Sequence, residues 1–533
     1  MEGPTGPVRL LAVYPDEFPL FAPQVSGKNL EFEHHYELRS GIVCLLAPGG
    51  RDWLPSRTLG WLLTEQWPKV IAANQGDGTA PDGSLIETDQ AEPWTAYLET
   101  TFGPVVVLDG EAVPPQSARM GAGVFAVTRA DPLTAVVMRL SDESDQQFFI
   151  AGSQHLADRS GRPLWWIRLD EVPEHRDPAA LWKAVEAVDP DLANRGWGPA
   201  PERGRLTGHK GETTTGSQAQ MILVCVTEEI ARRTTGLGWF ALVRYRSGPR
   251  KPPGAAKAYR VNRAGRTDLY KRAPELTLMQ EKDIMVVGTG GLGSAIVIEL
   301  GKLAPRRLVL IDADTVDMAA AVRFEAAFRF GGLPKTAALT QIVIDTQPYT
   351  DLAAYPLHLG RPRPFASPNT LGLLTEEITR ADLVIDATAD LGAQQLLSDA
   401  CRAAGVAYLQ SEATPGVWAG LITLFSPDAA VCWVCVQWHL YEGTLPELPH
   451  TSAPAVQPPG CLEPTYPGAG FDLATIAAQT VRQAVSYLTG ANGYGPPFAG
   501  VITVCLRDDT GAPVLPLWQE HVLARHPACP NHP

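Results

Sequence analysis

The sequence predicts an α/β protein whose C-terminal half is organised on a nucleotide-binding βαβ unit, and three observations predict it. An apolar run, Ile284 to Val287, has the continuity of a buried parallel strand. It breaks at Gly288-Thr289-Gly290-Gly291-Leu292-Gly293, after which Ser294 to Leu303 carries a helical apolar pattern. A second apolar run, Arg307 to Ile311, then ends in Asp312, nineteen residues past Gly293. Glycines let the backbone turn tightly and approach phosphates, and a helix start offers unpaired N–H groups and the positive end of its dipole. A carboxylate at Asp312 can accept hydrogen bonds from a ribose. The competing reading of the same residues is a tight turn with no ligand.

Length and composition bound the rest. A chain of 533 residues holds about three or four domains at ~100–200 residues each. Apolar residues make up 45%, enough for packed cores. A net charge of −14 argues against nucleic acid as the main partner. The start, MEGPTGPVRLL, lacks the basic region and apolar run of a signal peptide, and no stretch is apolar enough to span a membrane. Eight cysteines are too few for a disulfide scaffold at this length, and one C-x-x-C pair points to metal or redox chemistry in a reducing cytoplasm.

Three segments follow from the pattern. Residues 1–85 carry strand-like runs, Val8 to Val13 and Gly41 to Leu46, an amphipathic segment from Thr58 to Trp67, and a closing polar loop, Asn74 to Gly83. Residues 86–262 are β-rich, with runs at Pro104 to Leu108, Gly123 to Val127, Leu133 to Leu140, Met221 to Val226 and Trp239 to Tyr245. Within them Asp177 and Pro178 read as the cap and first position of a helix to Val188, Gly196 to Ser217 as a long loop, and Ser247 to Lys257 as a linker. Residues 263–533 add strands at Asp382 to Ala387, Val406 to Gln410 and Val417 to Phe425, and a helix from Asp472 to Leu488.

Chemistry-bearing residues cluster in this third segment. Asp314 follows Asp312 by two, and Arg323 and Lys335 can reach phosphates or serve as surface charge. Asp386 and Asp390 lie at the end of a strand, where a carboxylate can hold Mg²⁺. Cys432 and Cys435, with Cys529 and His532 far downstream, have the spacing of two Zn²⁺ half-sites. The alternatives are a redox pair and an unstructured tail. Cys505 reads as a core thiol, whereas Cys461 sits in a Gly- and Pro-rich loop.

These pieces, in this order, resemble the ThiF/MoeB and ubiquitin-activating-enzyme adenylation domain, a Rossmann-like fold. The matching stretches are VVGTGGLGS (286–294), LIDADTVD (310–317), Arg323, Lys335, VIDAT (384–388), the C-x-x-C and GCLEPTYPGAG (460–470). The resemblance implies ATP as the nucleotide. It places Gly288, Gly290, Gly291, Gly293, Asp312 and Asp314 at the nucleotide and Arg323 and Lys335 on its phosphates. It gives Cys461 a thioester, and Asp390 is read as substituting for the family's Mg²⁺ ligand. Two positions depart from the family: Ala320 stands for an asparagine and Ala389 for an aspartate, with Asp390 one place later.

Residues 8–67 resemble a ubiquitin-conjugating core, read from YP…FP…P…HH…G-I-V-C-L…W-L-P, with Cys44 at the conjugating position. Here His34-His35-Tyr36 replaces the family's HPN, so the amide that steadies an oxyanion there is absent, and the first helix and strand of the family are missing. Together the resemblances imply a fusion of a reduced α+β conjugating-like domain, a β-rich connecting domain and an adenylating domain. Such fusions resemble those of CBASS-type antiviral systems and bacterial ubiquitin-like operons. They imply a homodimer that activates the C-terminus of a ubiquitin-like protein or a nucleotidyltransferase, then passes it through Cys461 and Cys44 to an amine-bearing target. Competing readings are a sulfur-carrier adenylyltransferase, a scaffold without chemistry and, more distantly, an NAD dehydrogenase.

Overall fold

The computed structural model describes the chain except residues 4–5, 29, 31, 33, 38–39, 47–51, 75–92, 99–104, 131–132, 153–160, 201–216, 232–233, 326, 361–369, 457–464, 499 and 532–533. It divides into two compact units, Met1–Ile150 with Gly161–Arg263, and Ala151–Ser160 with Ala264–Pro533.

The second unit is a mixed eight-stranded sheet. Its spatial order is Asp351–Tyr355, Arg307–Ile311, Asp283–Val287, Leu383–Asp386, Ala407–Ala413, Ala419–Phe425, Val501–Arg507 and Pro513–His521. The first five run parallel and the last three join antiparallel. Side chains alternate between two faces, and both are covered. Ile284, Val286, Leu308 and Leu310 pack with the helices Gly291–Lys302, Lys335–Thr346 and Gly470–Thr489. Met285, Val287, Val309 and Ile311 face the helices Thr370–Arg380 and Leu391–Ala404. Burial on both faces explains why these strands read as unbroken apolar runs. Each fully buried aliphatic side chain contributes about 1.5–3 kcal/mol. Chain order reverses between Asp283–Val287 and Leu383–Asp386, and the Gly-rich turn leaves the sheet at that reversal. Open α/β sheets bind ligands at such a point, beyond the carboxyl ends of the strands.

Among the described residues the first unit holds three sheets, the smallest a pairing of Glu2–Gly3 with Gly6–Pro7. A four-stranded antiparallel sheet runs in the order Leu10–Val13, Gln24–Gly27, Ile42–Val43, Tyr36–Glu37. Its core of Val25, Val43, Trp53, Leu62 and Trp67 packs against a helical stretch from Leu59 to Asn74. A nine-stranded sheet closes on itself. The ring runs Leu133–Ser141, Val105–Leu108, Lys257–Arg263, Thr234–Arg246, Gln218–Ala231, Arg162–Arg168, Met120–Ala130 and back to Leu133–Ser141. The helix Pro178–Val188 packs Leu181, Trp182 and Val185 against Ile222, Val224 and Leu242 of this ring.

Several elements differ from the sequence expectation. The helix expected from Ser294 starts at Gly291, because the last two glycines of the turn are its first residues. Strand-like Gly41 to Leu46 shrinks to Ile42–Val43. Ser247 to Lys257 is no linker between domains: it joins two neighbouring strands of the ring. Trp197–Pro199, expected in a loop, forms a short strand on Gln218–Ala231. The expected helix cap is found, with Asp177 accepting from the Ala179 and Ala180 N–H groups. Most of the loop expected after Asn74 lies outside the described residues.

Candidate functional site

The Gly-rich turn is held by its own side chains. Gly288 has φ 80°, which favours glycine, and its N–H donates to the Ile311 carbonyl at 2.9 Å. A Cβ there would meet the Ala387–Thr388 backbone, just past the neighbouring strand, at 2.8 Å. A Cβ on Gly293 would overlap the Gly288 carbonyl oxygen. Gly290 forms the N-cap of the helix Gly291–Lys302. Asp312 reaches back across the turn: its Oδ2 accepts from the Thr289 N–H at 2.6 Å and the Thr289 hydroxyl at 3.1 Å. Its Oδ1 accepts the Asp314 N–H at 2.7 Å. Thr289, fully buried, is a participant the sequence reading passed over, because a threonine between glycines carries no signal of its own.

Two cations of this region stand in different states. The Lys335 ammonium donates to Asp314 Oδ2 at 2.7 Å, so it is paired. Arg323 is half-buried, and burial holds its pKa below the ordinary value. Its Nη1 donates to the Tyr466 carbonyl at 2.6 Å, and among the described residues no carboxylate pairs with it. A Cβ on Gly291 would lie 3.1 Å from Arg323 Nε, so the guanidinium stands over the first turn of the helix. A desolvated cation beside a helix N-terminus is an arrangement that calls for an anion. Ala320 lies one turn before Arg323, and its carbonyl accepts the Arg323 N–H at 2.9 Å.

The carboxylates of the next strand separate. Asp386 is buried. Its Oδ1 accepts the Thr388 N–H and hydroxyl, and its Oδ2 the Tyr408 hydroxyl at 2.7 Å. Burial outweighs these bonds and pushes its pKa up to about 6. Asp390 is exposed and caps the helix Leu391–Ala404, its Oδ1 accepting the Ala393 N–H at 2.7 Å, which leaves Oδ2 for a cation. Ala389 between them has φ 54°. The raised Asp386 pKa has a sign. The folded state keeps the proton that the unfolded chain releases near pH 4, so this stabilisation is present below about pH 4 and lost as pH rises through about 6. Melting temperatures measured from pH 4 to 7 are expected to fall in the wild type relative to Asp386→Asn by a few degrees, about 2–3 kcal/mol at most. Parallel melting profiles for the two proteins would count against it.

The cysteines gather as the spacing predicts, so far as they are described. Cys432, Cys435 and Cys529 are buried with their sulfurs within 4.8 Å of one another. Cys432 Sγ lies 3.9 Å from Cys435 Sγ and 3.5 Å from Cys529 Sγ. Thiolates about 2.3 Å from a tetrahedral Zn²⁺ stand about 3.8 Å apart, so the donor set fits that ion. His532, the expected fourth ligand, lies outside the described residues, as does Cys461. Cys505 is only partly buried, in the strand Val501–Arg507, rather than a core thiol.

In the first unit the Cys44 thiol lies at the surface and the two histidines are buried, His34 and His35 each 8% exposed. The Cys44 N–H donates to the His35 carbonyl at 2.8 Å, and His35 has φ 61°. Asn74, which the sequence assigns to a loop, ends a helix and bonds the His34 backbone.

A doubly wound sheet with a Gly-turn, an acid across it and a cation at the helix start defines a nucleotide-binding domain. Residues 270–503 match the ThiF family, and the protein is an enzyme of the adenylyltransferase class. Over 98% of its length the chain is 26% identical to uncharacterized protein y4oA of Sinorhizobium fredii, covering 89% of that protein. Over 33% of its length it is 28% identical to ubiquitin-like modifier-activating enzyme 5 of Oryza sativa, covering 41% of that protein. A crystal structure of E. coli MccB aligns over 48% of this chain and 68% of its own, at 13% identity and a TM-score of 0.35. No helix among the described residues is long and apolar enough to cross a membrane.

Proposed function

We propose that the chain uses ATP to adenylate the C-terminus of a ubiquitin-like protein or a nucleotidyltransferase and passes the acyl group through two thiols to an amine. The observation that carries the reading is Arg323, a desolvated guanidinium over a helix N-terminus, unpaired with any carboxylate among the described residues. Support also comes from the similarity to a ubiquitin-like modifier-activating enzyme. The three segments, 1–85, 86–262 and 263–533, are read as conjugating-like, connecting and adenylating, in a homodimer.

In this reading the turn Gly288, Gly290, Gly291 and Gly293 lets the backbone approach ATP, and Asp312 and Asp314 hold the ribose side. Arg323 and Lys335 take the phosphates, Lys335 exchanging its bond to Asp314 for one to phosphate. The C-terminal carboxylate of the partner attacks the α-phosphate, the bond to pyrophosphate breaks, and an acyl-adenylate forms. A thiolate at Cys461 attacks its carbonyl and releases AMP. Cys44 then takes the acyl group by thiol exchange, and an amine displaces Cys44. Asp390 would hold Mg²⁺ through the oxygen its capping bond leaves. Cys432, Cys435 and Cys529, with His532, would hold Zn²⁺, which supplies a structural tie. Ala320 and Ala389 favour a second reading, a scaffold that binds the partner without chemistry.

Incubation with ATP and a ubiquitin-like partner is expected to give a reductant-sensitive adduct on Cys44, located by mass spectrometry. Cys44→Ala is expected to leave the adduct on Cys461 alone. Cys461→Ala is expected to keep pyrophosphate exchange and form no adduct. An adduct on Cys44 that survives in Cys461→Ala means Cys44 is charged directly from the adenylate, and absence of exchange in the wild type favours the scaffold.

A further inference from the structure

Asn74 is the last residue of the helix Trp67–Asn74. Its Oδ1 accepts the His34 N–H at 3.0 Å, and its Nδ2 donates to the His34 carbonyl at 3.0 Å and to the Val70 carbonyl at 2.9 Å. The carboxamide therefore grips both polar groups of one residue, as a neighbouring strand would. Only one orientation of the amide does this, because the oxygen must meet the N–H. Both hydrogens of Nδ2 are engaged, so Asn74 has no donor left for a reacting oxygen. It can hold a backbone but it cannot stabilise an oxyanion.

The ring of the residue it grips makes no hydrogen bond through Nδ1 among the described residues. His34 Nδ1 lies 3.7 Å from Glu229 Oε2, on the strand Gln218–Ala231. His35 follows in the left-handed region, at φ 61°. A non-glycine residue stays there only where its surroundings fix it. On one side the His34 peptide is clamped by Asn74. On the other the His35 carbonyl takes the N–H of Cys44. Helix end, turn and thiol thus form one mechanical series: Asn74, His34, His35, Cys44.

We propose that Asn74 is a positioning residue for Cys44, fixing the left-handed His34–His35 turn that sets the orientation and surroundings of the thiol. The proposal rests on the reading of Cys44 as an acyl-accepting thiol. It concerns a residue outside the motif that carries that reading. When the clamp is released, His35 can leave the left-handed region, its bond to the Cys44 N–H slackens, and the thiol loses its fixed orientation. Its reactivity then approaches that of an unstructured cysteine, with a midpoint near pH 8.5.

The test is alkylation of Cys44 by iodoacetamide in the full chain, followed for the Cys44 peptide by mass spectrometry between about pH 6 and 10. The wild-type midpoint is expected away from the free-thiol value. Asn74→Ala is expected to move it toward about 8.5 and to change the labelling rate at neutral pH by about threefold or more. Asn74→Asp fills the same space and keeps the acceptor for the His34 N–H, but sets a carboxylate against the His34 carbonyl. It is expected to behave like Asn74→Ala, and it decides the matter if the alanine variant does not fold. A merely structural asparagine would lower the melting temperature and leave the pH midpoint where it was. Profiles of a folded variant that superimpose on the wild type overturn the proposal, as does a wild-type midpoint already at the free-thiol value. Pyrophosphate exchange, measured on the same samples, is expected to be unchanged in both variants. If the wild type shows no exchange, the adenylation reading fails by itself, and the Cys44 profile still decides the role of Asn74.

Discussion

Lys335→Ala is expected to abolish partner-dependent ATP–pyrophosphate exchange, a loss of about 100-fold or more, while leaving the melting temperature within a few degrees. Lys335 begins the helix Lys335–Thr346, and its ammonium reaches back to Asp314. That pair contributes little to stability, because it is partly exposed and a salt bridge of this kind is worth about 0–1 kcal/mol. On the proposed reading its value is positional: the ammonium would be kept within reach of the phosphates, where charge develops as pyrophosphate leaves. Asp312→Ala is expected to abolish exchange as well, but less cleanly. It removes the acceptor of the Thr289 N–H, and a buried donor left unsatisfied costs about 1–3 kcal/mol. Calorimetric titration separates binding from chemistry, with ATP affinity expected to fall in both variants. A wild type that binds NAD(H) tightly and ATP not at all would falsify the nucleotide assignment.

Cys432→Ser is expected to take bound zinc from about one ion per chain to near none, and to destabilise the second unit. Cys432 and Cys529 are 97 residues apart and their sulfurs lie 3.5 Å apart, so an ion between them would tie the start of the helix Trp433–Tyr441 to the end of the chain. The loss should be on the order of the 2–5 kcal/mol that a native disulfide contributes in a small domain. Atomic absorption and thermal melting, each with and without a strong chelator, measure the two effects. A chain that is metal-free as purified and melts identically in chelator does not hold this ion.

The second unit was legible where local sequence and tertiary environment ask for the same thing. Arg307–Ile311 was read to the residue because a strand buried on both faces must be apolar throughout and its loop begins at a charged residue. The helix at Gly291 was placed three residues late, since glycine has low helix propensity and was counted with the turn. The closed ring of the first unit was not legible. Its closure depends on Val105–Leu108 pairing with Val261, Asn262 and Arg263, a register no local pattern encodes. Lys257–Arg263 was not read as a strand, because only Ala258 and Val261 are buried and the rest is polar. At the candidate site the acid was read from spacing and the cations from the family resemblance. Whether each cation is paired was not, since Asp314 engages Lys335 and leaves Arg323 alone through geometry. Asn74 was missed because an asparagine opening a polar run signals a loop, and only the fold carries it to His34.

The order of strands in that ring bears on how the chain is made. Val105–Leu108 has the last strand, Lys257–Arg263, as one of its two neighbours, so the ring stays open until the ribosome has added more than 150 further residues. At about 5–20 residues per second that wait lasts about 8–30 s. Throughout it Val105–Leu108 presents a row of unpaired N–H and C=O groups, joined near the end by Thr234–Arg246, the surface most prone to capture by another chain. Nascent chains of this protein crowded on one messenger therefore have a built-in interval of vulnerability. A chaperone that shields strand edges during synthesis would act in that interval, before Arg263 has left the exit tunnel.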